Sequence, residues 1–391
     1  MALLSTTSIV VGIKLVSGAF QYIINKMITD EVVIGVAGCR VENGVDVPAK
    51  FGKAFFNTTF IFASMLALVL PFFLKELREH KKARKLAGLP ASHPYNSRAY
   101  LLTVIPAVMD VFAVELSMQA TKAFSAVTMI LLKSMRLVVS ALMCKAILGK
   151  AQKPYQWAGV LITLAGLIPV GAASMLRAEA QGHEEKKDQP STSSKLWCLF
   201  FVLLGEILRG YRYVFEEKLI KVEKMSAEFV VYTESLIGFG VAILLMVIAH
   251  MVPGKNCGSM ESLHDTFAMI KNSNLLIGLF VANFLLIGVH NYTTTLITKH
   301  LSSMHSMIIS QARCIVAWIP NVLLYYVCNR GEAADYFSLL EFVGFGILGY
   351  AAFLYNGDIK LPWKSCYPVE VKMKEVSSPV TTAIEDLAEP V

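Results

Sequence analysis

Residues 123–172 read AFSAVTMILLKSMRLVVSALMCKAILGKAQKPYQWAGVLITLAGLIPVGA and decide the fold. They hold most of two apolar runs, 123–144 and 156–176, which are joined by a short basic link. A helix crosses the hydrocarbon core of a bilayer with ~20 residues, because each residue adds ~1.5 Å of rise. Each run is long enough to span a membrane, so the stretch predicts a transmembrane helical hairpin.

A second hairpin of the same kind lies near the other end of the chain, over 302–327 and 337–357. Its segment MIISQARCIVA (307–317) can be laid over MILLKSMRLVV (129–139) of the first hairpin. Each copy carries a cation near the middle of its first span. Two copies of one hairpin predict that the chain contains an internal repeat.

The whole chain has the composition of a membrane protein. Of its 391 residues 55% are hydrophobic and 17% are charged, whereas soluble domains usually have about 25% charged residues. Mean hydropathy is +0.55. Lipid offers no hydrogen-bond partners to the backbone, and the apolar runs are too long for barrel strands, so we expect α-helices throughout. Ten spans are predicted, over 8–28, 54–74, 99–118, 123–144, 156–176, 196–215, 227–252, 274–297, 302–327 and 336–356.

The charges in the loops predict the orientation of the chain. The loops on one side carry more Lys and Arg, including the block LKELREHKKARK (74–85), and the positive-inside rule places that side and both termini in the cytosol. Residues 1–8 lack a positive n-region, so we expect no cleavable signal peptide. Cys39 and Cys257 both fall in loops on the opposite, lumenal side, where a disulfide and two free thiols are both open and free thiols are favoured.

Ionisable side chains at membrane depth are costly to bury, so they mark a substrate pathway or a charged partner. Lys133 lies near the middle of its span, too deep to reach water along its own helix. One hypothesis is an anion site in a central cavity. The alternative is a structural ion pair with Asp110, Glu206 or Glu234. Arg313 is equally deep in its span and has the same two interpretations.

Other charges have simpler interpretations. Lys14 lies close enough to one end of its span to reach the interface along its own helix. The span 196–215 and its extension have helix-pair spacing at Glu206–Arg209 and Arg212–Glu216, which predicts internal ion pairs.

The candidate site residues fall into two groups. Arg136 is one turn from Lys133 on roughly the same face, so the two predict a cationic patch, and arginine suits bidentate recognition of phosphate or carboxylate. The substrate-binding candidates in a central cavity are Lys133, Arg136, Asn291, Tyr292, Gln311 and Arg313, and the coupling or gating candidates are Asp110, Glu115, Glu216, Glu217, Lys218 and Glu234.

No sequence motif for catalysis is evident. The chain lacks a nucleotide-hydrolysing loop, a zinc-site motif and a catalytic triad motif, so we expect no enzyme, no cofactor and no metal. Transport would then run on exchange or on a gradient, with alternating access between two repeats. The expected partners are a small-molecule substrate and the lipid bilayer, without nucleic acid, and a homodimer stays open.

A set of short motifs, taken in order, resembles a known family. The motifs are PAxxD (Pro106, Ala107, Asp110), LGK (Leu148, Gly149, Lys150), QW-G…AG (Gln156, Trp157, Gly159, Ala165, Gly166), EEK (Glu216, Glu217, Lys218), TExLxGF (Thr233, Glu234, Leu236, Gly238, Phe239) and LYNG (Leu354 to Gly357). Their order and spacing over nearly all of 10–360 resemble the drug/metabolite transporter superfamily. Within it, the chain is similar to the nucleotide-sugar-transporter-like solute carrier 35 family, subfamily F.

The resemblance implies an all-α integral membrane fold of ten transmembrane helices in two five-helix inverted repeats, the drug/metabolite transporter fold. The first repeat would occupy 1–176 and the second 196–357, with a polar linker at 177–195 and a disordered cytosolic tail at 358–391. The family has a basic residue at the position of Lys133 and an arginine at that of Arg313, which implies that both bind substrate phosphates.

Three functional hypotheses follow. The first is a secondary-active carrier of a small anionic metabolite in an endomembrane (Golgi or ER, lysosomal or vacuolar), exchanging a nucleotide sugar for a nucleoside monophosphate. The second is a gradient-driven exporter of drugs, amino acids or peptides, in which Asp110, Glu115 and Glu234 are the working charges. The third is a membrane scaffold that transports nothing and binds a partner through its tail or through loop 75–98.

Overall fold

The apolar runs form long helices that contain most of each predicted span. The predicted start of loop 75–98 was wrong, because the helix that begins at Ala54 continues through the basic residues to Leu86. The computed structural model describes residues 2–39, 41–42, 45–87, 94–120, 126–180, 192–254, 257–328 and 337–359. The helices in that part of the chain are α1 (Ala2–Asp30), α2 (Ala54–Leu86), α3 (Ser97–Ala120), α4 (Ala126–Leu148), α5 (Pro154–Ala180), α6 (Thr192–Lys221), α7 (Ala227–Met251), α8 (Leu263–Lys271), α9 (Asn274–His300), α10 (Ser303–Cys328) and α11 (Phe337–Asn356). The predicted linker 177–195 and tail 358–391 fall mostly outside the described residues.

Six of these helices are long and apolar enough, by length and composition, to cross a membrane within the described residues. They are α1 (over Thr7–Thr29), α2, α3, α7, α9 and α11 (over Leu339–Asn356). Their backbone groups are bonded within each helix, which is what a hydrocarbon environment requires. The chain is therefore an all-α multi-pass membrane protein.

The long helices pack in pairs that join the two halves of the chain. Helices of the first half pack on helices of the second: α1 on α9 and α10, α2 on α7 and α9, and α5 on α11. The helices α3 and α4 of the first half also pack on α6, and α3 packs on α7. Most of the extensive helix contacts thus run between residues 2–180 and residues 192–356 rather than within either part.

Two glycines allow α5 and α11 to approach each other closely. A Cβ at Gly159 would lie 3.2 Å from the backbone nitrogen of Tyr355, tighter than an ordinary contact, and one at Gly166 would lie 2.9 Å from Ile347 Cγ2. Small residues let membrane helices come together where the hydrophobic effect gives no drive. The QW-G…AG motif of α5 therefore has a packing role against the LYNG end of α11.

Two loops at one end of the bundle are structured and covalently joined. The loop between α1 and α2 forms the short antiparallel pairs β1 (Val32–Val33) with β4 (Ala49–Lys50) and β2 (Val41–Glu42) with β3 (Val45–Asp46). The loop between α7 and α9 contains α8. A disulfide joins Cys39 to Cys257, with the two Cα atoms 5.2 Å apart. The preference for two free thiols was wrong, because the folded loops bring together two residues 218 positions apart.

A buried ion pair and a buried carboxylate reinforce this end of the molecule, which we call the disulfide cap (the described residues of 31–53 and 252–273). Lys53 Nζ lies 2.6 Å from Asp265 Oδ2, and both side chains are buried. The carboxylate of Glu261 accepts hydrogen bonds from the backbone nitrogens of Phe55 (3.1 Å) and Phe56 (2.8 Å), in the first turn of α2. A carboxylate at a helix N-terminus satisfies unpaired N–H groups and interacts favourably with the helix dipole. The cap therefore holds the start of α2 against the loop that precedes α9.

At the opposite end, the segment before α3 ties α2 to α7. Tyr95 Oη donates to Glu76 Oε1 at 2.7 Å, and Ser226 Oγ donates to Glu76 Oε2 at 2.8 Å. Ser226 also caps α7 by accepting from the backbone nitrogen of Phe229. Burial, with the neighbouring Glu76 charge, raises the pKa of Tyr95 to about 12, so its hydroxyl keeps its proton at neutral pH.

Candidate functional site

The C-terminal half of α6 carries charged side chains on the face that points into the bundle. Arg209 Nη1 lies 3.8 Å from Glu206 Oε1, and Arg212 Nη2 lies 3.7 Å from Glu216 Oε2. Both predicted ion pairs are thus confirmed, because residues three and four apart are neighbours on a helix. Glu206 and Glu216 are fully buried and Arg212 is 4% exposed, so these pairs are internal.

Arg212 also binds carboxylates on two other helices. Its Nη2 donates to Glu234 Oε2 on α7 at 2.9 Å, and its Nη1 lies 3.6 Å from Asp110 Oδ2 on α3. The face of the Tyr213 ring lies 5.1 Å from the guanidinium carbon. One buried arginine therefore faces three carboxylates, those of Asp110, Glu216 and Glu234.

A second branch extends this group of charges to α4. Arg209 Nε lies 4.0 Å from Asp110 Oδ1, and Arg136 Nε lies 2.9 Å from Glu206 Oε2. Arg136 Nε also donates to the backbone carbonyl of Lys133 at 2.8 Å. We call the connected set the Arg212 cluster, which consists of Asp110, Arg136, Glu206, Arg209, Arg212, Glu216 and Glu234.

The EEK segment connects the end of α6 to α9 and α10. Glu216 accepts a hydrogen bond from Thr295 Oγ1 on α9. Glu217 accepts from the backbone nitrogen (2.8 Å) and the hydroxyl (2.7 Å) of Ser303, in the first turn of α10, and from Lys221 Nζ at 3.1 Å. Lys218 Nζ lies 5.9 Å from the Phe215 ring centre. The two carboxylates are thus structural anchors for three helices.

The predicted substrate-binding residues do not all lie together. Tyr292 Oη donates to Glu228 at 3.0 Å and its ring stacks on Phe72, which is 46% exposed on α2. Asn291 Nδ2 donates to the backbone carbonyl of Ile287 in its own helix. The contacts of Tyr292 are therefore those of a packed side chain near the outer surface of the bundle.

The remaining candidates occupy three different helices. Lys133 is half-buried on α4, Glu115 is buried on α3, and Gln311 is half-buried on α10. The side chain of Arg313, also on α10, lies outside the part of the chain whose side chains are described. Of the predicted site residues, Asp110, Arg136, Glu216 and Glu234 are brought together in the Arg212 cluster.

Lys14 was expected to reach the membrane interface, and this prediction was wrong. Its side chain is 1% exposed, and its Nζ donates to the carbonyl and the hydroxyl oxygen of Ser306 on α10, both at 2.6 Å. The reason is that α1 packs on α9 and α10, so position 14 faces another helix rather than lipid. The serines of α10 (Ser303, Ser306 and Ser310) are the signal in the sequence that this face meets polar partners.

Arg209, Arg212 and Glu206 were not among the predicted site residues. The available signal was their three-residue spacing together with the mid-depth acids Asp110 and Glu234. A ladder of alternating charges on one helix and single acids at membrane depth on others indicates one shared site.

Comparison with known proteins agrees with this architecture. The profile of the family described as nucleotide-sugar transporter matches residues 48–327. Solute carrier family 35 member F6 of Homo sapiens is 25% identical over 351 residues, which cover 88% of this chain and 87% of that protein, and the Mus musculus protein is equally similar. An uncharacterized protein of Schizosaccharomyces pombe, C12G12.12, is 22% identical over 280 residues (71% and 78%).

A solved structure shares the fold. The TM-score of this crystal structure is 0.53 at 10% sequence identity, and the match covers 90% of this chain and 96% of the other. The family profile matches well over half of the chain, so the resemblance to the solute carrier 35 family is confirmed. The chain belongs to the nucleotide-sugar transporter family, and it is a membrane transporter rather than an enzyme.

Proposed function

We propose that this transporter exchanges a nucleotide sugar for its nucleoside monophosphate across an endomembrane, by alternating access between two five-helix inverted repeats. The observation that carries the proposal is the match of residues 48–327 to the nucleotide-sugar transporter family. The relatives named solute carrier family 35 member F6 cover most of the chain, which supports the same transport class. A phosphorylated sugar donor is a small anion, so a carrier for it needs cations within the membrane.

The pairing of helices supports the repeat. If α1 to α5 correspond to α6, α7, α9, α10 and α11, then α1 on α9 corresponds to α6 on α3, and α1 on α10 corresponds to α6 on α4. In the same way, the contact of α2 with α9 corresponds to that of α7 with α3. The contacts of α2 with α7 and of α5 with α11 each join two corresponding helices, so each of them corresponds to itself. Such a contact pattern is expected of two repeats related by a pseudo-two-fold axis.

The disulfide supports the proposed orientation. Disulfides persist in oxidising compartments such as the ER lumen and are rare in the cytosol. The cap that contains Cys39 and Cys257 would therefore face the lumen. One long helix separates the start of α1 from the cap, and three separate the cap from the end of α11. Both termini would then lie on the cytosolic side, in agreement with the orientation predicted from Lys and Arg.

Lys133 and Arg313 are the proposed phosphate ligands, with Gln311, Asn291 and Tyr292 as further lining residues. Arg136 is a weaker candidate for the phosphate, because its guanidinium is already 2.9 Å from the Glu206 carboxylate. An arginine held by a buried carboxylate has its charge balanced within the protein. We therefore assign Arg136 to the Arg212 cluster rather than to the substrate.

The alternative function, export of a cationic drug, amino acid or peptide, has less support. It needs carboxylates that face the substrate, and Asp110, Glu115 and Glu234 were its candidates. Asp110 and Glu234 lie 3.6 Å and 2.9 Å from nitrogens of Arg212, so their charges already have a protein partner. A scaffold that transports nothing would gain little from burying so many charges. If the protein were a scaffold that acts through its tail, deleting 358–391 would remove its effect, whereas a carrier would keep its transport rate.

Thermal stabilisation of the purified protein tests the proposal, because a ligand that binds the folded state raises its apparent stability by mass action. The probes are UMP, GMP, CMP and AMP, UDP-glucose, GDP-mannose and CMP-sialic acid, and arginine and tetraphenylphosphonium as cations. We expect one nucleotide family to raise the melting temperature of the wild type. The Lys133→Ala variant should lose the shift, and Lys145→Ala should keep it, because Lys145 is exposed on the same helix.

Exchange itself is measured in proteoliposomes. Uptake of the labelled nucleotide sugar should rise several-fold when the matching nucleoside monophosphate is loaded inside. Uptake that ignores the internal nucleotide would contradict exchange. A shift with arginine or tetraphenylphosphonium, and none with any phosphate, would favour the exporter.

A further inference from the structure

The Arg212 cluster contains more acids than bases. Among the described residues, N–O distances of 4.0 Å or less connect four carboxylates (Asp110, Glu206, Glu216, Glu234) to three guanidinium groups (Arg136, Arg209, Arg212). The four carboxylate residues are at most 7% exposed. Burying an uncompensated charge is costly, and a group in that position takes up or loses a proton instead.

The imbalance is concentrated around Arg212. Its Nη2 is shared between Glu234 at 2.9 Å and Glu216 at 3.7 Å, while its Nη1 serves Asp110 at 3.6 Å. Arg209, the second partner of Asp110, is shared with Glu206, so the connected set keeps one negative charge in excess. Like charges that share a buried site cannot all stay ionised.

Two carboxylate oxygens of the Arg212 cluster are candidates for carrying a proton. Glu234 Oε1 and Glu216 Oε2 are buried and have no hydrogen-bond partner among the described residues. Among the described residues, the cluster has contacts from Asp110 on α3, Arg136 on α4 and the hydroxyl of Thr295 on α9. A neutral carboxylic acid at Glu234 or Glu216 would turn an acceptor without a partner into a donor.

We propose that the carboxylates of Asp110, Glu216 and Glu234 around Arg212 bind one proton that the carrier transports together with its substrate. This proposal rests on the proposed function, since it names the coupling ion of that exchange. The proton is taken from water on one side of the membrane and released to water on the other, so it adds one positive charge to the difference in charge between the two exchanged substrates.

The position of the cluster suits this role. Asp110 is on α3 in the first half of the chain, and Arg212, Glu216 and Glu234 are on α6 and α7 in the second half. Relative motion of the halves changes how many carboxylates face Arg212. When Asp110 separates from Arg212, the remaining acids lose one negative neighbour and the proton is released; when it returns, a proton binds.

Infrared spectroscopy of the purified carrier at neutral pH tests the proton directly, without a substrate. A protonated carboxyl group gives a carbonyl band that shifts in heavy water, and a carboxylate does not. We expect the band in the wild type, and its loss in Glu234→Gln, Glu216→Gln and Asp110→Asn alike, because removing any one acid leaves equal numbers of acids and bases. Glu79→Gln is the control, since the Glu79 side chain is 66% exposed on α2.

A wild type without the band, or a band kept by all three variants that fold, would overturn the proton site. Coupling is then tested in proteoliposomes that contain a pH-sensitive dye and UMP, with labelled UDP-glucose outside. The pairs GMP with GDP-mannose and CMP with CMP-sialic acid are tested in the same way. We expect a pH gradient to change uptake several-fold and the dye to report one-to-one proton movement in the wild type and in Glu79→Gln.

The two proposals fail in different ways. Nucleotide exchange with no change of internal pH would overturn the coupling and leave the exchange function in place. An infrared band without any nucleotide uptake would overturn the exchange function, while the proton site would stand and its cargo would be another substrate.

Discussion

Arg212 is the residue on which the buried charges of this transporter converge. Its guanidinium holds three helices together, because its carboxylate partners lie on α3, α6 and α7. Replacing a whole buried ion pair with apolar side chains is often neutral, but removing one partner leaves the other charge uncompensated. Arg212 has three such partners, so its loss is the most damaging single change in the cluster.

We expect Arg212→Met to lower the free energy of unfolding by ~3–5 kcal/mol, the range for breaking a buried charge pair. Arg212→Lys keeps the charge but loses the fork of N–H donors, and should fall between Arg212→Met and the wild type. Thermal unfolding in detergent measures the effect.

The matched control is Lys145→Met, which removes an exposed cation from α4. Adding Glu234→Gln to Arg212→Met should recover part of the loss, since one of the unpaired acids is then neutral. Equal melting temperatures for Arg212→Met and the wild type would contradict the central role of this arginine.

At the scale of helices, some glycines lie in close helix contacts and others on the same helix do not. On α9, a Cβ at Gly288 would lie 2.8 Å from Leu68 Cβ and 3.1 Å from the backbone oxygen of Ser64, both on α2. On the same helix, a Cβ at Gly278 would have no atom within 4 Å. Helix packing in a membrane has little hydrophobic drive, so such close approach is a main source of its stability.

We expect Gly288→Ala to destabilise the carrier by ~1–3 kcal/mol, the usual cost of overpacking. Gly278→Ala should be neutral or stabilising by up to ~1 kcal/mol, because alanine has the higher helix propensity. Comparing the melting temperatures of the two variants separates packing from propensity. If both substitutions act alike, α2 and α9 do not meet as the structure describes.

The helices themselves follow from the sequence, but their partners do not. Hydrocarbon thickness fixes the length of each apolar run, and helical spacing gives the Arg212–Glu216 pair. Such rules reach only one turn along a helix. Lys14 bonds to Ser306, 292 residues away, and Arg212 bonds to Glu234 on the next helix, contacts that only tertiary packing decides.

For the molecule as a whole, the disulfide cap fixes one end of the bundle. It links the loop after α1 to the loop before α9, so α1, α2, α7 and α9 are held together at that end. A cross-link between residues far apart in sequence restricts the unfolded chain strongly.

We expect Cys39→Ser to lower the free energy of unfolding by ~2–4 kcal/mol, as is typical of a native disulfide. Dithiothreitol should lower the melting temperature of the wild type to that of the variant and leave the variant unchanged. Cys198→Ser is the control, because Cys198 is a free thiol. A wild type that is insensitive to the reductant would show that the loops stay joined without the covalent bond.

The disulfide can form only after segments of both halves of this protein have been made. The ribosome makes Cys257 long after Cys39, since 218 positions separate them. In the proposed orientation, Cys39 enters the lumen with the first loop and remains a free thiol until α7 has been inserted and the next loop has crossed. A chain that stops before Cys257 would keep that thiol free, so the disulfide distinguishes chains whose two halves have met from chains whose halves have not.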